Sequence, residues 1–167
     1  MPVVVVMGVT GAGKTTVGRL LARALGVPFL DADDYHSPAA IEKMRAGVPL
    51  DDTDRAPWLA RLNRTLQAHP DGAVLAASAL TTGARAALGA GVPGLRYVLL
   101  TGDPAVIGHR IGARRGHFAG PALLPSQLAL LEPPADAVVV DVDAPPETVA
   151  RRALRGLGLT PPASGNA

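Results

Sequence analysis

An unbroken apolar run, Val3–Met7, ends abruptly in Gly8-Val9-Thr10-Gly11-Ala12-Gly13-Lys14-Thr15, and this junction constrains the chain more than any other feature. A β-branched run with no polar alternation is the pattern of a strand buried on both faces, as in a parallel sheet covered by helices. The segment after it, Lys14 to Leu25, repeats Val17, Leu20, Leu21, Ala24 and Leu25 at helical spacing and stops at Gly26. The turn between them fits G-x-x-x-x-G-K-[ST] in full and in the strand-to-helix context that gives the motif its meaning. Gly8, Gly11 and Gly13 let the backbone curl so that successive N–H groups converge on phosphate oxygens. The helix start adds its positive end. The expected nucleotide-binding set is therefore Gly8, Thr10, Gly11, Ala12, Gly13, Lys14, Thr15 and Thr16. Lys14 is expected on the β- and γ-phosphates of ATP, and the Thr15 hydroxyl on Mg²⁺.

Further apolar runs recur at Val27–Leu30, Gly72–Leu80, Leu95–Gly102 and Asp136–Asp143, separated by helical patterns. Those helices are expected near Pro38–Ala46, Arg55–Ala68, Thr82–Leu88, Pro104–Arg114, Leu123–Leu131 and Pro146–Leu157, with Asp54 as the N-cap of the second. Strands alternating with helices predict an α/β fold: three layers, a five-stranded parallel sheet flanked by helices. Length fits one domain over residues 1–160, followed by a flexible tail, 161–167. Hydrophobic residues are 48% of the chain but aromatics only 3%, so the core is built from Val, Leu, Ile and Ala. Absence of cysteine excludes disulfides and thiolate chemistry, and a net charge of +2 gives no reason to expect nucleic acid. The N-terminal run is too short for a membrane span and has no basic leader, so a cytoplasmic protein without membrane contact is expected.

The second apolar run leads into Asp31-Ala32-Asp33-Asp34-Tyr35-His36. In a parallel sheet, ligands bind at the carboxyl ends of the strands, beside the phosphate loop. Asp31 and Asp33, two apart in an extended segment, are expected to point the same way. One carboxylate then serves the hydrated metal and the other takes the proton of an attacking hydroxyl. Asp34 is expected to face water.

Taken in order, the phosphate loop, D-x-D-x-x-H, "KMRAGVPLDDTDRAPWL", "SAL", "RRGHF" and "SQLALLEPP" resemble the gluconokinase family of small P-loop carbohydrate kinases. The resemblance runs from Met7 to about Asp143. It implies ATP-dependent phosphorylation of gluconate, with a possible homodimer as the assembly. Carried onto these positions, it implies Asp33 as base and acceptor contact, Asp31 and Thr15 on the metal, and His36 and Ser78 beside the sugar acid. A guanidinium matches a carboxylate in bidentate geometry, which makes Arg55 a candidate for the acid group, and Arg85 and His117 complete the acceptor set. Arg110 and Arg114, four apart on one helix face, are the expected ATP contacts of a helical lid at about 110–125, with Arg114 among the catalytic residues and Arg115 adjacent.

The family pattern is not complete. Thr81, Ala84 and Ala86 stand where a Lys, a Tyr and an Asp are usual, and Ala40 stands in place of an Asn. Most of these changes lie on the acceptor side. A kinase for another small hydroxy acid, shikimate-like or a different aldonate, and a nucleotide-binding sensor without turnover are the alternative readings.

Overall fold

The computed structural model describes residues 1–112 and 123–160. Its centre is β1 (Val3–Met7), whose five residues are all buried. The remaining elements follow as α1 (Lys14–Leu25), β2 (Phe29–Asp31), a 3₁₀ turn (Ala32–Tyr35), α2 (Pro38–Arg45), α3 (Asp52–Gln67), β3 (Ala73–Ala76), α4 (Thr82–Gly89), β4 (Arg96–Thr101), α5 (Pro104–Gly112), α6 (Leu123–Leu130), β5 (Val138–Asp141) and α7 (Pro146–Leu157). The five strands form one sheet in the order β2-β3-β1-β4-β5, every pair parallel. The expected three-layer α/β architecture is what the chain adopts.

Alternation along β1 divides the core. Val4 and Val6 face one side, where Val17 and Leu21 of α1, Ile107 of α5 and Val149 and Ala153 of α7 cover them. Val3, Val5 and Met7 face the other, under Leu62 and Leu66 of α3 and Leu88 of α4. Period-two alternation thus yields two apolar layers, each with its own helices. Register then sets the site. Val6 pairs with Ala76 and Asp31 pairs with Ala76 from the other side, so the ends of β1, β3 and β2 open on the same edge.

Several boundaries differ from the sequence expectation, each for a local reason. β3 stops at Ala76 and not at Leu80, because the backbone leaves the ladder: Ala77 N donates to Val6 O, Gly8 N donates to Ser78 O, and Ala79 sits at φ +46°. α3 begins three residues before the expected start at Arg55. Asp51 is the N-cap, and Asp54 is the third helical residue of a capping box, its carboxylate accepting from Asp51 N while Asp51 caps Asp54 N. Asp54 also accepts from Lys43 Nζ with both oxygens at 2.9 Å, which holds its carboxyl below and the Lys43 ammonium above their ordinary values. β5, an edge strand, is not buried on both faces: Val139 is 60% exposed. The expected tail, 161–167, and most of the expected lid lie outside the described residues.

The α7–β5 packing makes one stability prediction. A Cβ added at Gly156 would overlap Val138 Cγ1 on the neighbouring strand. Gly156→Ala should therefore destabilise by about 1–3 kcal/mol through overpacking. Urea unfolding checks this; an unchanged midpoint would contradict the tight seating of α7.

Candidate active site

The phosphate loop is built by three glycines in conformations that side chains resist. Gly8, Gly11 and Gly13 lie at φ +146°, +76° and +96°. Gly11 is also closed in by its neighbour, since a Cβ there would run into Ile111 Cγ1. α1 starts directly after Gly13 with no side-chain cap and no acidic residue in its first turn. Its free N–H groups and positive dipole end are thus left for an anion. Lys14 curls over the loop, its Nζ 2.9 Å from Val9 O, with the ammonium on the loop's inner side. Ala12 is buried, while Thr10 and Gly13 are half-buried and Thr16 is exposed.

Thr15 turns toward β2: its hydroxyl donates to Asp31 Oδ2 at 3.1 Å. Asp31 Oδ1 accepts from Asp33 N at 3.1 Å and so caps the 3₁₀ turn. The expectation that Asp31 and Asp33 share an extended face does not hold. A side chain that bonds to the backbone two residues on coils the segment, and Asp33 leaves in a different direction. Asp31 faces the loop threonine; Asp33, 62% exposed, faces the open edge. Asp34 is exposed.

Trp58 of α3 locks this turn in place through a 2.8 Å bond from Nε1 to Ala32 O. His36 lies flat on Trp58, ring centroids 4.5 Å apart and planes 10° from parallel. Its side chain is only 8% exposed, and Nε2 stands 4.0 Å from Asp33 Oδ1. Burial lowers the His36 pKa below 6.5; Asp33 pulls it up, and Arg61 pushes it down further. Two buried side-chain nitrogens have no partner among the described residues, and they belong to the same neighbourhood: His36 Nδ1 and Arg61 Nε. Sequence reading missed Arg61. The signal was present, because Arg61 follows Trp58 by three positions and so shares its helix face.

The remaining candidates fall into three groups. Ser78, half-buried, reaches the site through its backbone oxygen, which accepts from Gly8 N at 3.3 Å. Arg55, half-buried on α3, has no ion pair among the described residues, since Asp54 pairs with Lys43. Arg85 is 7% exposed and directs its guanidinium inward, Nη1 to Ala79 O at 2.9 Å and Leu80 O at 3.1 Å, which makes it a brace for the loop after β3. On the opposite side of the phosphate loop, Arg110 Nη2 donates to Val142 O at 3.0 Å. There it lines a cleft of about 250 Å³ with Gly13, Thr16, Ala144 and Pro146. Arg114, Arg115 and His117 lie outside the described residues. So two sub-sites meet at one loop: an anion cradle continuing into an arginine-lined cleft, and a carboxylate–histidine edge.

Among the described residues, no group of three or more His, Asp or Glu is placed to hold a metal, and no helix is long and apolar enough to cross a membrane. Comparison with known proteins agrees with the geometry. The family model described as "AAA domain" matches residues 3–134. The chain is 45% identical over 135 residues to the gluconokinase of Gluconobacter oxydans, covering 79% of this chain and 76% of that one. It is 41% identical over 152 residues to the thermoresistant gluconokinase of Escherichia coli, covering 87% of each. The crystal structure of a gluconokinase from Sinorhizobium meliloti superposes with a TM-score of 0.85 at 42% identity, covering 94% of this chain and 91% of that one. With these identities over most of each chain, and with phosphate loop and acidic edge in place, the chain belongs to the gluconokinase family.

Proposed function

We infer that this protein transfers the γ-phosphoryl group of ATP to a hydroxyl of gluconate, giving 6-phosphogluconate and ADP. The observation that carries the reading is the juxtaposition of the phosphate loop with the Asp31–Asp33 turn, joined by the Thr15–Asp31 bond. The triphosphate seats on the Gly11–Thr16 turn at the start of α1 and on Lys14, because the N–H groups of Gly8, Thr10 and Ala12 already bond to Ser78 O, Gln127 Oε1 and Val9 O, and the nucleoside extends into the cleft beside Arg110. Gluconate lies at the carboxylate edge, its hydroxyl against Asp33. As that oxygen attacks the γ-phosphorus and the bond to the β-γ bridging oxygen breaks, the hydroxyl proton passes to Asp33. Lys14 and the loop N–H groups neutralise the charge on the phosphates; Arg110 and Arg114 add to this from the lid side. Catalysis of this kind is chiefly positioning and charge stabilisation.

Mg²⁺ is the metal this site fits. Thr15 Oγ1 and Asp31 Oδ2 are two hard oxygen donors 3.1 Å apart, and a cation that keeps several waters needs only one or two such groups besides the phosphates. Bound there, it would neutralise phosphate charge. A cytoplasmic homodimer is part of the same reading; light scattering of the purified protein tests the assembly.

The base assignment makes the first functional prediction. Asp33→Asn should lower kcat by about 10²–10⁴-fold, the usual value of a positioned base, while ATP still binds. A coupled ADP-release assay measures it; wild-type turnover in the variant would remove Asp33 from that role.

The two orphaned nitrogens support an acceptor site beside Asp33. A buried polar atom without a partner is costly, so His36 Nδ1 and Arg61 Nε favour a polyhydroxy acid, whose hydroxyl and carboxylate groups can both donate and accept, as their partner. Arg61, with Arg55 nearer the helix start, supplies positive charge for the carboxylate. Arg61→Ala should raise KM for gluconate about tenfold or more with KM for ATP unchanged, as expected for losing a charged hydrogen bond. An equal rise in both constants would argue against an acceptor-side role.

His36 also sets a pH dependence. With its folded pKa depressed below the unfolded value of 6.5, the neutral ring is the form the fold favours. The stability it contributes is complete above 6.5 and is lost as pH falls through the depressed value. Thermal melting of His36→Gln should therefore be flatter than wild type on the acid side of 6.5, and identical profiles would place that titration elsewhere.

A further inference from the structure

The "SQLALLE" segment is the one signature element for which the phosphoryl-transfer reading has so far no use, and two of its polar residues, Gln127 and Glu132, bond to two different loops. Gln127, on α6, places Oε1 2.6 Å from Thr10 N, the third residue of the phosphate loop and 117 positions away. Glu132 places Oε2 2.9 Å from Thr82 N and donates its own N–H to Leu80 O at 2.8 Å. Those partners belong to the loop that leaves β3 through Ser78. Between the two, Leu131 packs against the apolar layers on both sides of the sheet, and Leu124, at the other end of α6, is buried beside Ile107 and Ile111. The segment is therefore pinned at each end and cannot slide without disturbing both layers.

The loop it holds needs holding. Ala79 occupies φ +46°, a strained conformation for a non-glycine residue that persists only where its surroundings enforce it. Arg85 grips Ala79 O and Leu80 O from within, and Glu132 grips Leu80 O and Thr82 N from the other side. Among the described residues, Gly8 N to Ser78 O is the only direct backbone bond between this loop and the start of the phosphate loop, and at 3.3 Å it is long.

We propose that Gln127 and Glu132 are positioning residues, the two ends of a strap that fixes the phosphate loop relative to the Ser78–Thr82 loop. The proposal rests on the phosphoryl-transfer reading: the donor lies on one of these loops and the acceptor edge adjoins the other. Neither residue touches a reactant. They act through Thr10, Leu80 and Thr82, by keeping the γ-phosphorus and the attacking oxygen at a fixed separation, where an error of about 1 Å costs on the order of 10²-fold in rate.

The test is a double-mutant cycle in the full-length protein. Gln127→Met and Glu132→Met keep the side-chain length and remove the acceptor atoms; Glu132→Gln keeps an acceptor for Thr82 N. Each Met variant should lower kcat by about 10–100-fold with both KM values within about threefold of wild type. Glu132→Gln should recover most of the rate lost in Glu132→Met. The double variant should be no slower than the slower single one, because one strap is cut once. More ATP should be hydrolysed per gluconate phosphorylated in each Met variant. A lowered melting temperature with unchanged kcat would overturn the proposal, and so would additive losses. A fall in KM for ATP at unchanged kcat in Gln127→Met would overturn it too, by showing that Gln127 competes with phosphate for Thr10 N. If the wild type does not phosphorylate gluconate, the proposed function falls, and the same cycle read on ATP hydrolysis, with the same non-additivity required, decides the strap.

Discussion

The hydrogen bond from Thr15 to Asp31 is the contact on which the rest of the site depends. It joins the first residues of α1 to the last residue of β2 across an intervening strand, because β3 lies between β1 and β2 in the sheet. That crossover is possible only where the strands end, so the bond marks the edge at which chemistry can be done. One oxygen of Asp31 faces the phosphate loop and the other shapes the turn that carries Asp33. A single carboxylate thereby links the phosphate loop to the turn that carries Asp33.

Much of this was legible in the sequence because it is local. The phosphate loop is a run of eight residues whose glycines, lysine and threonine each have a separate physical task, and α1 and α7 appear within the expected boundaries, α1 stopping at Gly26. What was not legible depends on partners distant in the chain. β3 ends early because Ser78 turns back to Gly8, and β5 is half-exposed because it lies at a sheet edge, neither of which periodicity encodes. The opposite error came from a local rule: period-two alternation put Asp31 and Asp33 on one face, and a side-chain cap two residues long overrode it. Arg61 escaped notice for a different reason. A lone arginine on a helix reads as surface until its Nε is seen to be buried without a partner beside His36.

The division of labour in the molecule follows from these placements. Rigid parts hold charge: the loop glycines, the uncapped start of α1 and the Lys14 ammonium form a cradle set by local backbone geometry. The acceptor edge is assembled differently, from a 3₁₀ turn held by Trp58, a stacked histidine and a strained loop held by Arg85 and Glu132. Its residues are spread over the turn after β2, α3, the loop after β3, α4 and the segment after α6, so its geometry is set by tertiary packing and not by a contiguous motif.

The central claim is transfer of phosphate from ATP to gluconate at the junction of the two loops. Phosphorus NMR of the purified protein with ATP, Mg²⁺ and D-gluconate tests it most directly. The account predicts a new phosphomonoester resonance that grows in step with ADP and needs gluconate to appear. ADP accompanied only by inorganic phosphate, or an ATP spectrum that does not change, would contradict it.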